Sequence, residues 1–111
     1  VLLEYPKLKQ EHGEFTYRAR NMDVRIYGGK VVENLCQAIA RCVIAWQMGV
    51  ISEHHKIALT VHDSIVCVIK DNEVEKARVF IESCMRDTPD WAKGLPLDCE
   101  SGIGKSYGAC V

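Results

Sequence analysis

Two apolar runs, residues 56–61 and 65–70, are separated by only His62, Asp63 and Ser64. So short a gap leaves room for a tight reverse turn and little else. The two runs are therefore expected to pair as an antiparallel hairpin with a polar tip. Any fold drawn for this chain has to accommodate that hairpin, and side chains at its tip are fixed in direction by the strands on either side.

The rest of the chain is read around it. Residues 1–5, Val-Leu-Leu-Glu-Tyr, form a β-like run stopped by Pro6, and they read like a strand entered in the middle of a longer protein. A charged loop is expected through Gly13. Residues 15–18 and 24–27 alternate loosely between apolar and polar, and Asn21-Met22-Asp23 between them makes a second hairpin. Gly28-Gly29 breaks that strand. From Lys30 to Met48 the period changes. Val32, Leu35, Cys36, Ile39, Val43 and Trp46 recur at spacings of three and four, predicting a long helix buried on most sides and ended by Gly49. A second helix is expected from Asn72 as N-cap, with Glu75 completing a capping box, to about Arg86, where Thr88-Pro89 stops it. It would bury Val74, Ala77, Phe80 or Ile81, and Cys84. A last strand is expected at residues 97–101, followed by a glycine-rich tail. The order β, β, β, long α, β-turn-β, α, β predicts an α+β fold, an antiparallel sheet with two packed helices, in a single domain over 1–111.

Composition narrows the function classes. The chain has 111 residues, 48% of them apolar, enough for one compact domain. Charged residues make up 26%, and the formal net charge is -1, which argues against a free-standing nucleic-acid binder driven by charge. None of the six cysteines forms a C-x-x-C pair, and the four histidines have no zinc spacing to them. With no signal-peptide pattern, the cysteines read as reduced, mostly buried small hydrophobes of a cytoplasmic protein. The longest apolar run is interrupted by Gln37 and Arg41 and is read as too short to cross a membrane.

Chemistry is expected at two places. Asp63, between two strands, could project a carboxylate in a fixed direction, as a hard divalent cation requires. Asp is also an ordinary turn former, and the spacing leaves both readings open. On the long helix, Glu33, Asn34, Gln37 and Arg41 interrupt the apolar pattern. They make either a solvated face with a Gln37–Arg41 pair or a face for a nucleic-acid backbone. Gly104-Lys105-Ser106 resembles the end of a phosphate-binding loop. The required glycine five positions earlier is Cys99, so that motif is rejected. His54-His55 reads as a solvated loop.

Tyr27-Gly28-Gly29-Lys30, followed by Glu33-Asn34, Gln37-Ala38 and Ala40-Arg41, resembles the stretch of phage family A DNA polymerases that precedes their last catalytic motif. Val61-His62-Asp63, with Ile65-Val66 returning, resembles that motif. The order, the intervening length, the following helix, and the later tryptophan and Gly-Leu-Pro-Leu also agree, so the resemblance covers nearly the whole chain.

It implies the C-terminal part of the palm of a right-hand polymerase, which extends a primer on template DNA with dNTPs through two Mg²⁺ ions. Asp63 matches the later of two metal-binding aspartates, and His62 the histidine beside the primer end. Gln37 matches a glutamine at the primer–template, with Arg41 and Asn34 on the same helix. Two departures stand out. Ser64 replaces the usual glutamate, and Cys42 replaces a frequent aspartate after the arginine. The first palm aspartate and the nucleotide-binding fingers helix are absent. Fingers, thumb and the rest of the palm are therefore implied partners, and the 111 residues alone are not expected to polymerise DNA. The competing readings are a non-catalytic nucleic-acid-binding α+β module, and a structural domain in which Asp63 only forms a turn.

Overall fold

The computed structural model describes residues 2–110. The chain is α+β, and its strands form two antiparallel sheets rather than one, in the order β1-β2-β3 and β4-β5. It divides into two compact units, one up to Cys42 and one from Val43 on.

The first unit begins with β1 (Lys9–Glu11), β2 (Glu14–Ala19) and β3 (Met22–Ile26). Two-residue turns join them, and all four turn residues have positive φ: His12 at 51° and Gly13 at 80°, then Arg20 at 48° and Asn21 at 67°. That sign at both positions belongs to the turn whose twist suits a hairpin. Strand alternation then separates two faces. Phe15 pairs with Ile26 and Tyr17 with Val24 on one, where Ile26 is buried. The opposite face is a charge ladder, with Arg18 3.2 Å and Lys9 3.5 Å from Asp23, and Arg25 3.2 Å from Glu14. The strand β1 lies where a charged loop was expected. Lys9-Gln10-Glu11 has no apolar alternation, and its partner strand and turn set its conformation instead. Leu2 to Tyr5 form no strand, and Val1 of that expected run lies outside the described residues.

Helix α1 (Gly28–Ser52) starts two residues before and ends four residues after the expected bounds. Glycine costs a helix about 1 kcal/mol relative to alanine. At Gly28, Gly29 and Gly49 the good helix formers around them outweigh that cost. Gly29 also has a steric reason: a Cβ there would meet the Tyr27 ring at 3.1 Å. Burial along α1 differs from the expected stripe. Val43, Gln47 and Ile51 are buried, whereas Val32, Leu35, Cys36 and Trp46 are exposed. By length and composition α1 is also long and apolar enough to cross a membrane, contrary to the sequence expectation.

In the second unit, β4 (Ile57–Val61) pairs with β5 (Ser64–Cys67), with one irregularity between Ile57 and Leu59. A 3₁₀ turn, Asp71–Glu73, leads into α2 (Val74–Arg86). The expected capping box does not form: Glu73 precedes the helix and no side chain caps it. Among the α2 residues expected inside, Ala77 and Cys84 are buried, and Val74, Phe80 and Ile81 are half-buried. The α1 and α2 segments of this unit are tied by the buried Gln47. Its Nε2 donates to the Met85 carbonyl at 2.9 Å and the Asp87 carbonyl at 3.0 Å, at the C-terminus of α2. Helix-end carbonyls have no partner within the helix, so one buried amide satisfies two groups that would otherwise need water.

Residues 97–101 form no strand. Side chains hold them against α2 instead: Arg86 Nε donates to Asp98 at 2.9 Å, and Ser101 bonds Glu82, which also accepts from Arg78 at 3.2 Å. The Ser101 and Arg78 hydrogen bonds hold the Glu82 carboxyl below its ordinary range. A 3₁₀ turn, Tyr107–Ala109, follows Ser106. All six cysteines are free. Only Cys84 is buried, while Cys36 and Cys110 are exposed, so the expectation of mostly buried thiols is corrected. Burial pushes the thiols of Cys67, Cys84 and Cys99 up, which disfavours the reactive thiolate.

Candidate functional site

The β4–β5 hairpin closes on two residues, His62 and Asp63, with Val61 and Ser64 as the last ladder pair. His62 has φ 55°. Asp63 is not among the residues with positive φ, so the sign changes within the turn. A positive φ at the first turn position suits glycine; histidine there carries backbone strain of about 1–2 kcal/mol. Asp63 is exposed, and among the described residues its carboxylate has neither a hydrogen bond nor an ion pair. Both its oxygens are open to a ligand.

Behind the turn β4 is bare, whereas Ile65, Val66 and Cys67 of β5 are half-buried. Leu59 and Val61 of β4 are 43% and 37% exposed. A two-stranded ribbon with exposed apolar side chains has little to stabilise it alone. An open hollow of about 620 Å³ in the same unit is lined by Met48, Ser52, His54, His55, Lys56 and Ile57, but neither His62 nor Asp63 lines it. His54 and His55 are more than a solvated loop. Both rings lie edge-on to Phe80, at 4.8 and 5.7 Å.

The other expected residues lie on α1, in the first unit. Gln37 is exposed and its Nε2 donates to Glu33 at 3.4 Å, so the expected pairing with Arg41 is replaced by one with the preceding turn. Glu33 also accepts from Lys30 at 3.0 Å. That hydrogen bond, and the Glu33 charge, raise the Lys30 pKa. Asn34 Nδ2 donates to the Tyr5 hydroxyl at 3.1 Å, half-buried, a bond that neither residue's sequence context signals. Arg41 is exposed, with no hydrogen bond or ion pair among the described residues. The structure thus brings His62 and Asp63 together at one turn, and Asn34, Gln37 and Arg41 along one helix segment.

Among the described residues no group of three or more His, Cys, Asp or Glu side chains could hold a metal ion. The carboxylate of Asp63 suits a hard cation in kind, but one carboxylate falls short of the roughly six oxygens magnesium takes.

Over 84 residues, 73% of its length, the chain is 37% identical to a DNA polymerase of Bacillus phage SP02. It is similar to part of a phage DNA polymerase. The matched stretch spans 12% of that polymerase. No family model and no solved structure matches the chain.

Proposed function

We propose that this chain is the C-terminal palm segment of a phage-type family A DNA polymerase, acting in the host cytoplasm, and that Asp63 is one of its metal-binding carboxylates. The observation that carries the reading is the turn itself: a carboxylate without a partner among the described residues, at the tip of a hairpin whose first strand is left bare. The positive φ of His62 recurs at His12 and Arg20 in the other hairpin turns, so it is the open carboxylate that distinguishes this turn. The similarity to a phage polymerase supports the same reading, and the motif resemblance around Asp63 supplies its detail.

In this reading Asp63 contributes one carboxylate, and a second comes from an earlier strand of the same polymerase. These two carboxylates would hold magnesium, which when bound would supply activation of the primer 3′-hydroxyl and charge stabilisation at the leaving pyrophosphate. Asp63 is fixed in direction by β4 and β5, so little reorganisation is needed when the site assembles. His62 lies next to the primer end. Gln37, Asn34 and Arg41 contact the primer–template, where Arg41 offers its guanidinium to a phosphate. Ser64 keeps a hydroxyl where a second acid is usual, so the metal charge at this turn falls to Asp63. A sheet that binds nucleic acid alone would need an exposed basic and aromatic platform. The charged face of β1–β3 is instead neutralised by its own ion pairs.

The test is to read the gene on the 5′ side of the Val1 codon. The expected result is an open frame that encodes an aspartate-bearing strand and a nucleotide-binding helix. A start codon immediately before Val1 would overturn the reading, because Asp63 would then have no partner carboxylate in its own chain.

A further inference from the structure

Of Glu33, Asn34, Gln37 and Arg41, Asn34 alone has a side-chain partner far away in sequence among the described residues, and that partner belongs to a braced arrangement. The Tyr5 ring meets the Tyr17 ring edge-to-face, with centroids 5.1 Å apart and planes at 82°. Tyr17 is held in the middle of β2 by its pairing with Val24. A backbone bond from the Arg18 N–H to the Pro6 carbonyl, 2.8 Å, ties the segment after Tyr5 to the same strand. The Tyr5 hydroxyl then accepts from Asn34 Nδ2 at 3.1 Å. A chain of contacts therefore runs from the sheet, through two tyrosines, to one amide on the first half of α1.

We infer that Tyr5 is a positioning residue: its hydroxyl, braced by Tyr17 on the sheet, fixes the Asn34 amide so that its remaining polar groups meet the primer–template. This rests on the polymerase reading of the same helix face. An asparagine side chain has one carbonyl oxygen and two N–H groups. Tyr5 occupies one N–H, which leaves an acceptor and a donor for a sugar or phosphate. An asparagine without such a brace would have to be ordered on binding, at a cost in affinity. Bracing should therefore appear in the affinity for DNA and not in the chemical step.

The experiment uses the full reading frame that contains this chain and measures steady-state primer extension. It compares the unaltered protein, Tyr5→Phe, Asn34→Ala and the double variant, with thermal unfolding of each. Tyr5→Phe removes the hydroxyl and keeps the ring against Tyr17. The expected result is a rise of about 2- to 10-fold in KM for primer–template, the scale of one hydrogen bond, with kcat unchanged. The double variant should be no worse than Asn34→Ala, because Tyr5 acts only through Asn34. Additive effects, or a lower Tm with KM intact, would overturn the inference and leave Tyr5 as a structural clamp. If the unaltered protein extends no primer, the polymerase reading fails, and the inference falls with it. Asp63→Asn separates the two, since it tests that reading without touching Tyr5.

Discussion

The β2–β3 and β4–β5 hairpins both close on two residues, yet they are built to different ends. At Arg20–Asn21 both residues take positive φ, as the hairpin twist favours, and the flanking charges are paired, Arg18 with Asp23. At His62–Asp63 only the histidine does, and the carboxylate is left without a partner among the described residues. The first turn carries the same positive φ on Arg20, but the charges that flank it are paired. The second leaves its carboxylate open, which folding alone does not reward. An acid at a hairpin tip is thus a weak signal. An acid left open where the other hairpin pairs its own is a stronger one.

The same contrast extends to how each unit is held, and stability measurements can sharpen or break it. The largest effect is expected at Gln47. Replacing it with leucine strips the Met85 and Asp87 carbonyls of a buried donor and should cost about 2–3 kcal/mol in chemical denaturation of the chain. A cost under about 0.5 kcal/mol would mean that the amide is not what ties α1 to α2. A smaller effect of opposite sign is expected at the strained turn. His62→Gly should stabilise the chain by about 0.5–1 kcal/mol, relief of strain less the entropy glycine adds to the unfolded state. Asn21→Gly should be close to neutral, because asparagine already tolerates its conformation. Equal responses at His62 and Asn21 would show that asparagine has no advantage over histidine at positive φ here.

The smallest effect concerns Asp23. The Arg18 hydrogen bond, then the Lys9 charge, hold its carboxyl below the ordinary aspartate range. A depressed folded-state pKa contributes stability that is present above the unfolded value and disappears as pH falls through the folded one. Asp23→Asn should therefore flatten the stability profile only below about pH 4, with a slight effect that salt at about 1 M further reduces. A profile unchanged by the substitution would show that the pair contributes nothing measurable, as exposed pairs often do.

How far the sequence could be read follows from which forces were local. The β4–β5 hairpin was legible because two apolar runs with so short a polar gap admit one arrangement. Helix α1 was legible in kind from its spacing, but not in extent, since the glycines read as breaks, Gly28, Gly29 and Gly49, are carried by their neighbours. Its burial is not legible from spacing, because a stripe shows that a face is apolar, not that anything covers it. The buried polar residue on that helix, Gln47, is in phase with Val43 and Ile51 at intervals of four, a placement that its polar side chain masks in the sequence. Residues 97–101 read as a strand, yet the forces there are side chains of α2, which no local pattern records. At the candidate site, Asp63 and His62 could be named from the motif, but the positive φ of His62 could not. The Tyr5–Asn34 bond spans 29 residues and had no local trace.

The central claim is that Asp63 is a metal-binding carboxylate and not a turn former. Primer extension by the full reading frame, with Asp63→Asn set beside Asp23→Asn, tests it most directly. The account predicts that Asp63→Asn slows extension by about 10³-fold with unfolding unchanged, as removal of a charge-stabilising group from the transition state should, and that Asp23→Asn leaves the rate intact. Extension by Asp63→Asn within a few-fold of the unaltered protein would contradict it, and Asp63 would then be an ordinary residue of a tight turn.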